Sequence, residues 1–390
     1  MKIGINASFL RKSDSGIGQV TRNFILKLIE SRPVGFEFVL YLEQPSGLVL
    51  PESFTEKVLK VPFYTRDDLV RKIIWEKFLL PSAIKKDGCE KFFSLYQSPT
   101  VIDGGKIPHL MLVHDVIWKV FPEYLNNFRK KIYYQLVEQG IKKADWLMTV
   151  SENSKTDIEK LLMIEKERIS INLIDCDELF KQKASIEKDQ KVLARLGINN
   201  RNYIFYFGGL DKRKNVDRLI EAYGLLWQNW EAQKDNFPSL VIGGKFYPHL
   251  VPLVCDLPSL ISKTSEKYQI PKDFFLRLNF IEQDDLPAVY RGAKLFCFPS
   301  LYEGFGLPIL EAFNSGVPVL AGNNSSLIEV ADGAADLIDT SDVKLFSKEM
   351  KKILNDENLK TDLVAMGKRQ ATKFSWDHFV EKWLAKMTRL

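Results

Sequence analysis

Lys294-Leu-Phe-Cys-Phe298, Pro299-Ser300 and Glu303-Gly-Phe-Gly-Leu-Pro-Ile-Leu-Glu311 read in succession as a strand, a turn and a helix. The first run is short and apolar and is closed by Pro-Ser, the form of a buried strand in a parallel sheet. Pro308 suits the first helical position, where its missing N–H costs nothing, and Gly316 suits the stop. Glu303 then falls in the loop above the strand end, and Glu311 about one turn into the helix. Between them, the N–H groups of Gly304, Phe305, Gly306 and Leu307 gather at a positive helix end, a place that attracts phosphate.

The two carboxylates can accept from paired hydroxyls on both oxygens, and the amides suit a diphosphate. One loop therefore has the means to grip a sugar nucleotide from ribose to hexose. Two glutamates alone would read as an exposed acidic loop before an ordinary amphipathic helix. The glycines and the strand–loop–helix setting shift the balance to a binding site.

A chain of 390 residues is long for one core and comfortable for two domains. Its 45% hydrophobic and 27% charged content is that of an ordinary globular protein, and the net charge of +5 is modest. No dense basic helix or aromatic-basic repeat points to nucleic acid. Cys89, Cys176, Cys255 and Cys297 lack ligand spacing and read as reduced, mostly buried thiols. His109, His114, His249 and His378 form no metal cage in the sequence either. Ile3-Gly-Ile-Asn-Ala7 runs into polar Arg11-Lys-Ser-Asp-Ser15 without the apolar core of a signal peptide. No run approaches the ~20 apolar residues of a membrane span, so the expected location is the cytoplasm or the inner face of the membrane.

The first half alternates strands and helices. Lys2 to Ala7, Phe36 to Tyr41, Leu110 to Val113, Trp146 to Val150 and Ile169 to Ile174 read as strands, with helices at Gly18 to Glu30 and Phe128 to Lys142. Charged sequence from Asp175 to Asn200 reads as a linker. A second block follows, with strands at Tyr203 to Phe207, Leu240 to Gly243, Phe275 to Ile281, Leu295 to Phe298, Val317 to Ala321 and Ala335 to Ile338. Helices fit at Val216 to Trp230 and Asp284 to Gly292. The expected fold is α/β with two doubly wound, Rossmann-like domains, ligands at the C-terminal strand edges and in a central cleft. The expected boundaries are residues 1–175, a linker at 176–200, a second domain at 201–374, and a helix at 375–390 with an apolar face to dock.

Other motifs sit at strand ends. Gly208-Gly-Leu-Asp-Lys-Arg-Lys-Asn215 permits a tight turn and offers Arg213 and Lys214 to a diphosphate, although such a run is usually a solvated loop. Val241-Ile-Gly-Gly-Lys245 is a weaker second case, with Lys245 just beyond the glycines. Asp14-Ser-Gly-Ile-Gly18 places Gly16 and Gly18 where a substrate approaches backbone, but Thr21 leaves the dinucleotide fingerprint unfinished. His114-Asp115 follows a strand, so a catalytic or sugar-binding role stands beside a plain structural one. Ser151, in Val150-Ser-Glu-Asn-Ser154, is a helix cap as readily as a ligand contact. Arg71-Lys-Ile-Ile-Trp-Glu-Lys-Phe-Leu-Leu80 reads as a membrane-surface helix or, with more weight, as core packing through Trp75 and Phe78.

With these pieces in order, the chain resembles retaining glycosyltransferases of family four, whose fold is called GT-B. The likeness covers essentially the whole length: Gly16 and Gly18, His114-Asp115, Gly208 to Asn215, Asn279-Phe-Ile-Glu-Gln-Asp-Asp-Leu286 and, most specifically, Glu303 to Glu311. The resemblance implies that Glu303 holds the donor hexose, Glu311 binds the ribose, Arg213 and Lys214 lie at the diphosphate, and backbone from Gly304 to Leu307 completes the grip. It implies further that the stretch around Phe280 and Ile281 touches the base, that His114 lies near the donor sugar, and that the last helix crosses back onto the first domain. Many members carry Arg where this chain has Gly209, which either puts more of the diphosphate on Arg213 and Lys214 or weakens its binding.

The activity implied is hexosyl transfer with retention and no obligatory metal or other cofactor. The donor is a nucleotide sugar, GDP-mannose ahead of UDP-glucose or another UDP-sugar. The acceptor is a glycan or lipid-linked glycan of a bacterial surface polysaccharide such as lipopolysaccharide. A dinucleotide-dependent oxidoreductase and a non-catalytic glycan- or nucleotide-binding protein are the readings from other classes. The unfinished fingerprint counts against the first, and the presence of both glutamates with His114 and Lys214 against the second.

Overall fold

The computed structural model describes residues 1–61, 68–102, 107–183, 185–199, 201–231, 236–247, 250 and 253–390. Ala184, Asn200 and His249 lie outside them. The chain divides into two compact units, residues 1–174 with 374–390, and residues 175–373.

The first unit is built on strands β1 (Lys2–Asn6), β2 (Glu37–Leu42), β3 (Phe54–Val58), β4 (Lys91–Ser94), β5 (His109–Val113), β6 (Trp146–Thr149) and β7 (Ile169–Ile171). They lie in the order β3-β2-β1-β4-β5-β6-β7, and every pairing is parallel. β5 is buried along its whole length, as its unbroken apolar run requires when both faces are covered. Met111, Val113 and Leu147 meet Tyr133, Val137, Ile141 and Ile158 in one buried cluster. Tyr41, Trp75, Leu80, Ile84 and Phe92 meet in another.

Two strands escape a reading by periodicity. Phe54-Thr-Glu-Lys-Val58 is polar because it is a half-exposed edge strand, and Lys91-Phe-Phe-Ser94 is too short to show a period although it pairs between β1 and β5. The first helix starts at Gly16 rather than Gly18, because the Ser15 side chain accepts from the Gly18 N–H and caps it. In the basic stretch, Trp75 is buried and donates to the Leu59 carbonyl at 2.9 Å, whereas Phe78 is 60% exposed and does not pack. Arg71 is engaged by Glu43 and Asp68, and the Lys72 ammonium stands 4.8 Å from the Phe9 ring centroid. Both cations are thus committed within the unit.

The C-terminal helix, Trp376–Arg389, belongs to this first unit. Ser375 caps it, and its apolar stripe seats Trp383 against Phe24, Phe93 and Phe38, with ring centroids 5.0, 5.3 and 6.2 Å away. Asp377 pairs with Lys27 at 2.8 Å, and Asn172 donates to the Phe379 carbonyl at 2.9 Å.

The second unit carries β8 (Tyr203–Phe207), β9 (Ser239–Gly243), β10 (Phe275–Leu278), β11 (Leu295–Phe298), β12 (Val319–Gly322) and β13 (Asp336–Ile338) in the order β10-β9-β8-β11-β12-β13, again all parallel. The order reverses between β8 and β11, and the crevice at such a switch point is where doubly wound sheets bind ligands.

The stretch 176–200, expected as a linker, falls instead within the second unit, and its described residues form two helices. Glu178–Lys181 is a short 3-10 helix and Ile186–Arg195 an α-helix. A few apolar side chains anchor it: Phe180 packs edge-on to Tyr290 at 5.6 Å, and Val192 and Ile198 are buried. On its inner side Asp189 takes two bonds of 2.7 Å from Arg291. A high charge count alone does not separate a solvated linker from an amphipathic helix.

Candidate active site

Four loops at the C-terminal ends of β8, β9, β10 and β11 supply the second unit's candidate residues. After β8 the chain turns at Gly208, and the Gly208 N–H donates to the Gly243 carbonyl at 3.1 Å. Gly244, with φ at +144°, lies so close that a Cβ there would stand 2.1 Å from the Gly208 carbonyl oxygen. The two glycine turns are seated on each other's backbone, which no side chain permits. The Tyr206 hydroxyl donates to the Gly209 carbonyl and pins the turn from below.

Lys212–Lys214 then form one 3-10 turn, closed by Asn215 in the left-handed region and held by Asn215 Nδ2 on Thr340 at 3.2 Å. This turn is fastened directly to the loop after β11. The Leu301 N–H donates to the Arg213 carbonyl at 2.8 Å, and Arg213 Nη1 to the Tyr302 carbonyl at 2.7 Å. Arg213 Nη1 also lies 2.9 Å from Glu303 Oε2, and Lys214 Nζ 2.6 Å from Glu303 Oε1. Burial by itself would raise the Glu303 carboxyl; the charges of Lys214 and Arg213 outweigh it and hold it at about 2. Glu303 is therefore a firmly ionised group with each oxygen claimed by a cation.

The loop bearing Glu303 is shaped by a part of the chain the sequence reading passed over. Ser325 Oγ accepts from the Glu303 N–H at 3.0 Å, and Ser326 Oγ donates to the carbonyls of Glu303 and Phe305 at 2.9 and 2.6 Å. Asn324 Nδ2 donates to the Ser300 carbonyl at 2.9 Å. The available signal was Asn323-Asn-Ser-Ser326, a run of capping residues directly after a glycine-ended strand.

Gly306 precedes the helix Leu307–Ser315, so Leu307 is its first residue and Pro308 the second, one place later than expected. Glu311 lies one turn in and is 3% exposed. Its Oε2 accepts from the Tyr290 hydroxyl at 2.8 Å. Burial pushes the Glu311 carboxyl up to about 7; the Tyr290 bond opposes this and the charge of Asp177 adds to it. On the other flank, the Lys245 ammonium stands 4.7 Å from the Phe280 ring centroid, while Ile281 is buried and Phe280 is half exposed.

The remaining candidates belong to the first unit. His114 is buried, and its Nε2 donates to the Leu95 carbonyl at 3.0 Å, leaving Nδ1 as an acceptor. Burial pushes it down to about 4, so it is a neutral imidazole near pH 7. Asp115 Oδ1 accepts from the Ile117 N–H at 3.1 Å, a local turn. Ser151 Oγ accepts from the Ser154 N–H at 3.0 Å, the helix-cap alternative. Gly18 is packed so that a Cβ would stand 1.9 Å from the Lys12 carbonyl oxygen, whereas a Cβ on Gly16 meets open space. A buried polar group missed by the sequence reading lies in this unit. Glu76 accepts from Tyr96 at 2.6 Å and from Tyr133 at 3.0 Å, and the Tyr96 hydroxyl lies 2.9 Å from the Ser8 hydroxyl, in the 3-10 helix that follows β1.

Two Rossmann-like units, each on a wholly parallel sheet, give the fold class GT-B. Residues 188–370 match the family described as glycosyl transferases group 1. The chain is similar to O-antigen chain mannosyltransferase B of Escherichia coli, at 29% identity over 265 residues, 68% of this chain and 66% of that protein. It is also similar to the serotype-specific mannosyltransferase WbdA of Escherichia coli, at 30% identity over 281 residues, 71% of this chain but 33% of WbdA. It thus spans just under two thirds of the first relative and a third of the second. Among solved structures, WaaG, a glycosyltransferase involved in lipopolysaccharide biosynthesis, shares the fold with a TM-score of 0.70 at 19% identity, over 98% of both chains. HepE of Anabaena in complex with UDP and glucose shares it with a TM-score of 0.72 at 14% identity, over 100% of this chain and 99% of that one. No helix among the described residues is long and apolar enough to cross a membrane.

Proposed function

We propose that this chain transfers a hexose from a nucleotide sugar to a glycan or lipid-linked acceptor in bacterial surface polysaccharide synthesis, with retention at the anomeric carbon and without an obligatory metal. Mannose from GDP-mannose is the donor of choice, because the sequence relatives matched over 68% and 71% of this chain are mannosyltransferases by name. UDP-glucose or another UDP-sugar is the alternative.

The observation that carries the reading is the Arg213–Glu303–Lys214 cluster, set beside a helix in which Glu311 is buried one turn in. In this reading Arg213, Lys214 and the amides from Gly304 to Leu307 receive the diphosphate, while Glu303 takes hexose hydroxyls and Glu311 those of ribose. The bond from the anomeric carbon to the diphosphate oxygen breaks, and that oxygen takes the proton of the acceptor hydroxyl as the hydroxyl oxygen bonds to the same face. The cations stabilise the charge that develops on the leaving group. A carboxylate held at about 2, with both oxygens ion-paired, is a poor nucleophile, which argues against a covalent intermediate on Glu303.

Thermal-shift titration with GDP-mannose, UDP-glucose and other nucleotide sugars tests the donor site, since a ligand that binds only the native state raises its melting temperature. No shift with any of them rejects the assignment. Inverted anomeric configuration in the product, or a glycosyl adduct trapped at Glu303, rejects the mechanism.

A further inference from the structure

Tyr290 stands outside every motif read in the sequence, yet it makes the one hydrogen bond that the Glu311 carboxylate receives among the described residues. It lies in the helix Leu286–Gly292 and is fully buried. Its ring is wedged among Phe205 at 5.0 Å, Phe296 at 5.0 Å, Phe180 at 5.6 Å and Phe207 at 6.4 Å, residues contributed by β8, β11 and the 3-10 helix Glu178–Lys181. Three separate elements thus fix the phenol before any ligand arrives. Its hydroxyl fixes Glu311 Oε2 in turn at 2.8 Å, while Oε1 has no hydrogen-bond partner among the described residues. One carboxylate oxygen is tied down and the other is left to accept.

We infer that Tyr290 is a positioning residue for nucleotide recognition, holding Glu311 by Oε2 so that Oε1 is presented to a ribose hydroxyl. The inference rests on the ribose role proposed above for Glu311. It also gives the hydroxyl a second effect. A donor bonded to a carboxylate favours the ionised form, which is the form that accepts from ribose. The other titratable groups facing Glu311 are Cys176 and Asp177, from the segment that precedes the 3-10 helix. Neither is a cation, so the phenol is the group that opposes protonation. Ribose-dependent binding should therefore weaken as the pH falls below about 7, where Glu311 takes up its proton.

Tyr290→Phe keeps the ring and removes only the hydroxyl. Calorimetric titration with GDP and UDP, each beside its 2′,3′-dideoxy form, is run on the full chain between pH 5.5 and 8.5. Tyr290→Phe should weaken whichever nucleotide binds by about tenfold near pH 7 and move the acid limb of binding upward by about one pH unit. The dideoxy form should bind wild type and Tyr290→Phe alike. In transfer assays the donor KM should rise with kcat little changed. A merely structural tyrosine would lower the melting temperature and leave the pH limb and the ribose discrimination in place, and that result overturns the inference while the ribose role survives. Glu311→Gln, measured in parallel, separates the two: if it binds GDP and UDP as wild type does, the ribose role itself is wrong and the inference falls with it.

Discussion

Lys214 Nζ and Glu303 Oε1 lie 2.6 Å apart although 89 residues separate them in the chain, and the bond ties the loop after β8 to the loop after β11. The group assigned to the leaving diphosphate and the group assigned to the hexose are thus one electrostatic unit before the donor binds. On the proposed assignment, a phosphate entering the site would compete for the cation that the carboxylate now holds.

Lys214→Ala should therefore lower turnover by about 10²–10³, the usual cost of removing one preorganised charge from a developing anion. Arg213 still pairs with Glu303 at 2.9 Å, so the fold should survive, with an unchanged far-ultraviolet circular dichroism spectrum. Near-normal turnover would remove Lys214 from the mechanism.

The two glutamates should push stability in opposite directions with pH. Glu303 is held at about 2, below its ordinary 4.5, so its contribution is present above about pH 4.5 and is lost as the pH falls toward 2. Glu311 is raised from 4.5 to about 7, so the native state binds more protons across that window and stability falls as the pH rises through it. Melting curves should show Glu303→Gln destabilised at pH 7, by about 3–5 kcal/mol for a buried pair broken on one side, with the gap closing in acid. Glu311→Gln should gain on wild type between pH 5 and pH 8. Parallel pH profiles for all three proteins would refute both assignments.

Gly16 and Gly18 should separate function from packing. Gly18→Ala drives a methyl to 1.9 Å from the Lys12 carbonyl oxygen, at an expected cost of about 1–3 kcal/mol in chemical denaturation. Gly16→Ala enters open space and should change stability by less than about 0.5 kcal/mol. If Gly16 lies at a substrate, its alanine variant loses transfer without losing stability; full activity would take it off the substrate path.

Trp383→Ala should loosen the C-terminal helix from the first unit, because it empties a fully buried indole site lined by Phe24, Phe38 and Phe93. The expected cost is about 3–5 kcal/mol, read as a lowered melting temperature. A variant that melts with wild type would show that the helix contributes little to that unit.

Metal removal tests the proposed chemistry from another side. Enzyme treated with a chelator should keep its transfer rate if Lys214, Arg213 and the helix amides carry the leaving group's charge. A rate abolished by chelator and restored by a divalent cation would replace that account with a metal-assisted one.

Local pattern was enough for much of the fold. β5, β8 and β11 are buried on both faces, so their apolar runs announce themselves, and the Pro308 to Gly316 punctuation marks a helix with nearly its true ends. β3 and β4 were invisible because an edge strand carries polar residues and a four-residue strand has no measurable period. Residues 176–200 looked like a linker because their few anchors, Phe180, Val192 and Ile198, find partners only in the folded second unit.

By itself the sequence determined the strand–loop–helix grammar, the glutamates eight residues apart and the basic turn after a strand, because these are short-range arrangements along one chain segment. Tertiary structure alone decided that Glu303 is clamped by Arg213 and Lys214, that Glu311 is buried under Tyr290, and that His114 is a neutral donor to Leu95. The reason is physical: the charge state of a side chain follows from its desolvation and from the groups that face it, and here those groups come from segments far away in the chain, Lys214 facing Glu303 and Asp177 facing Glu311.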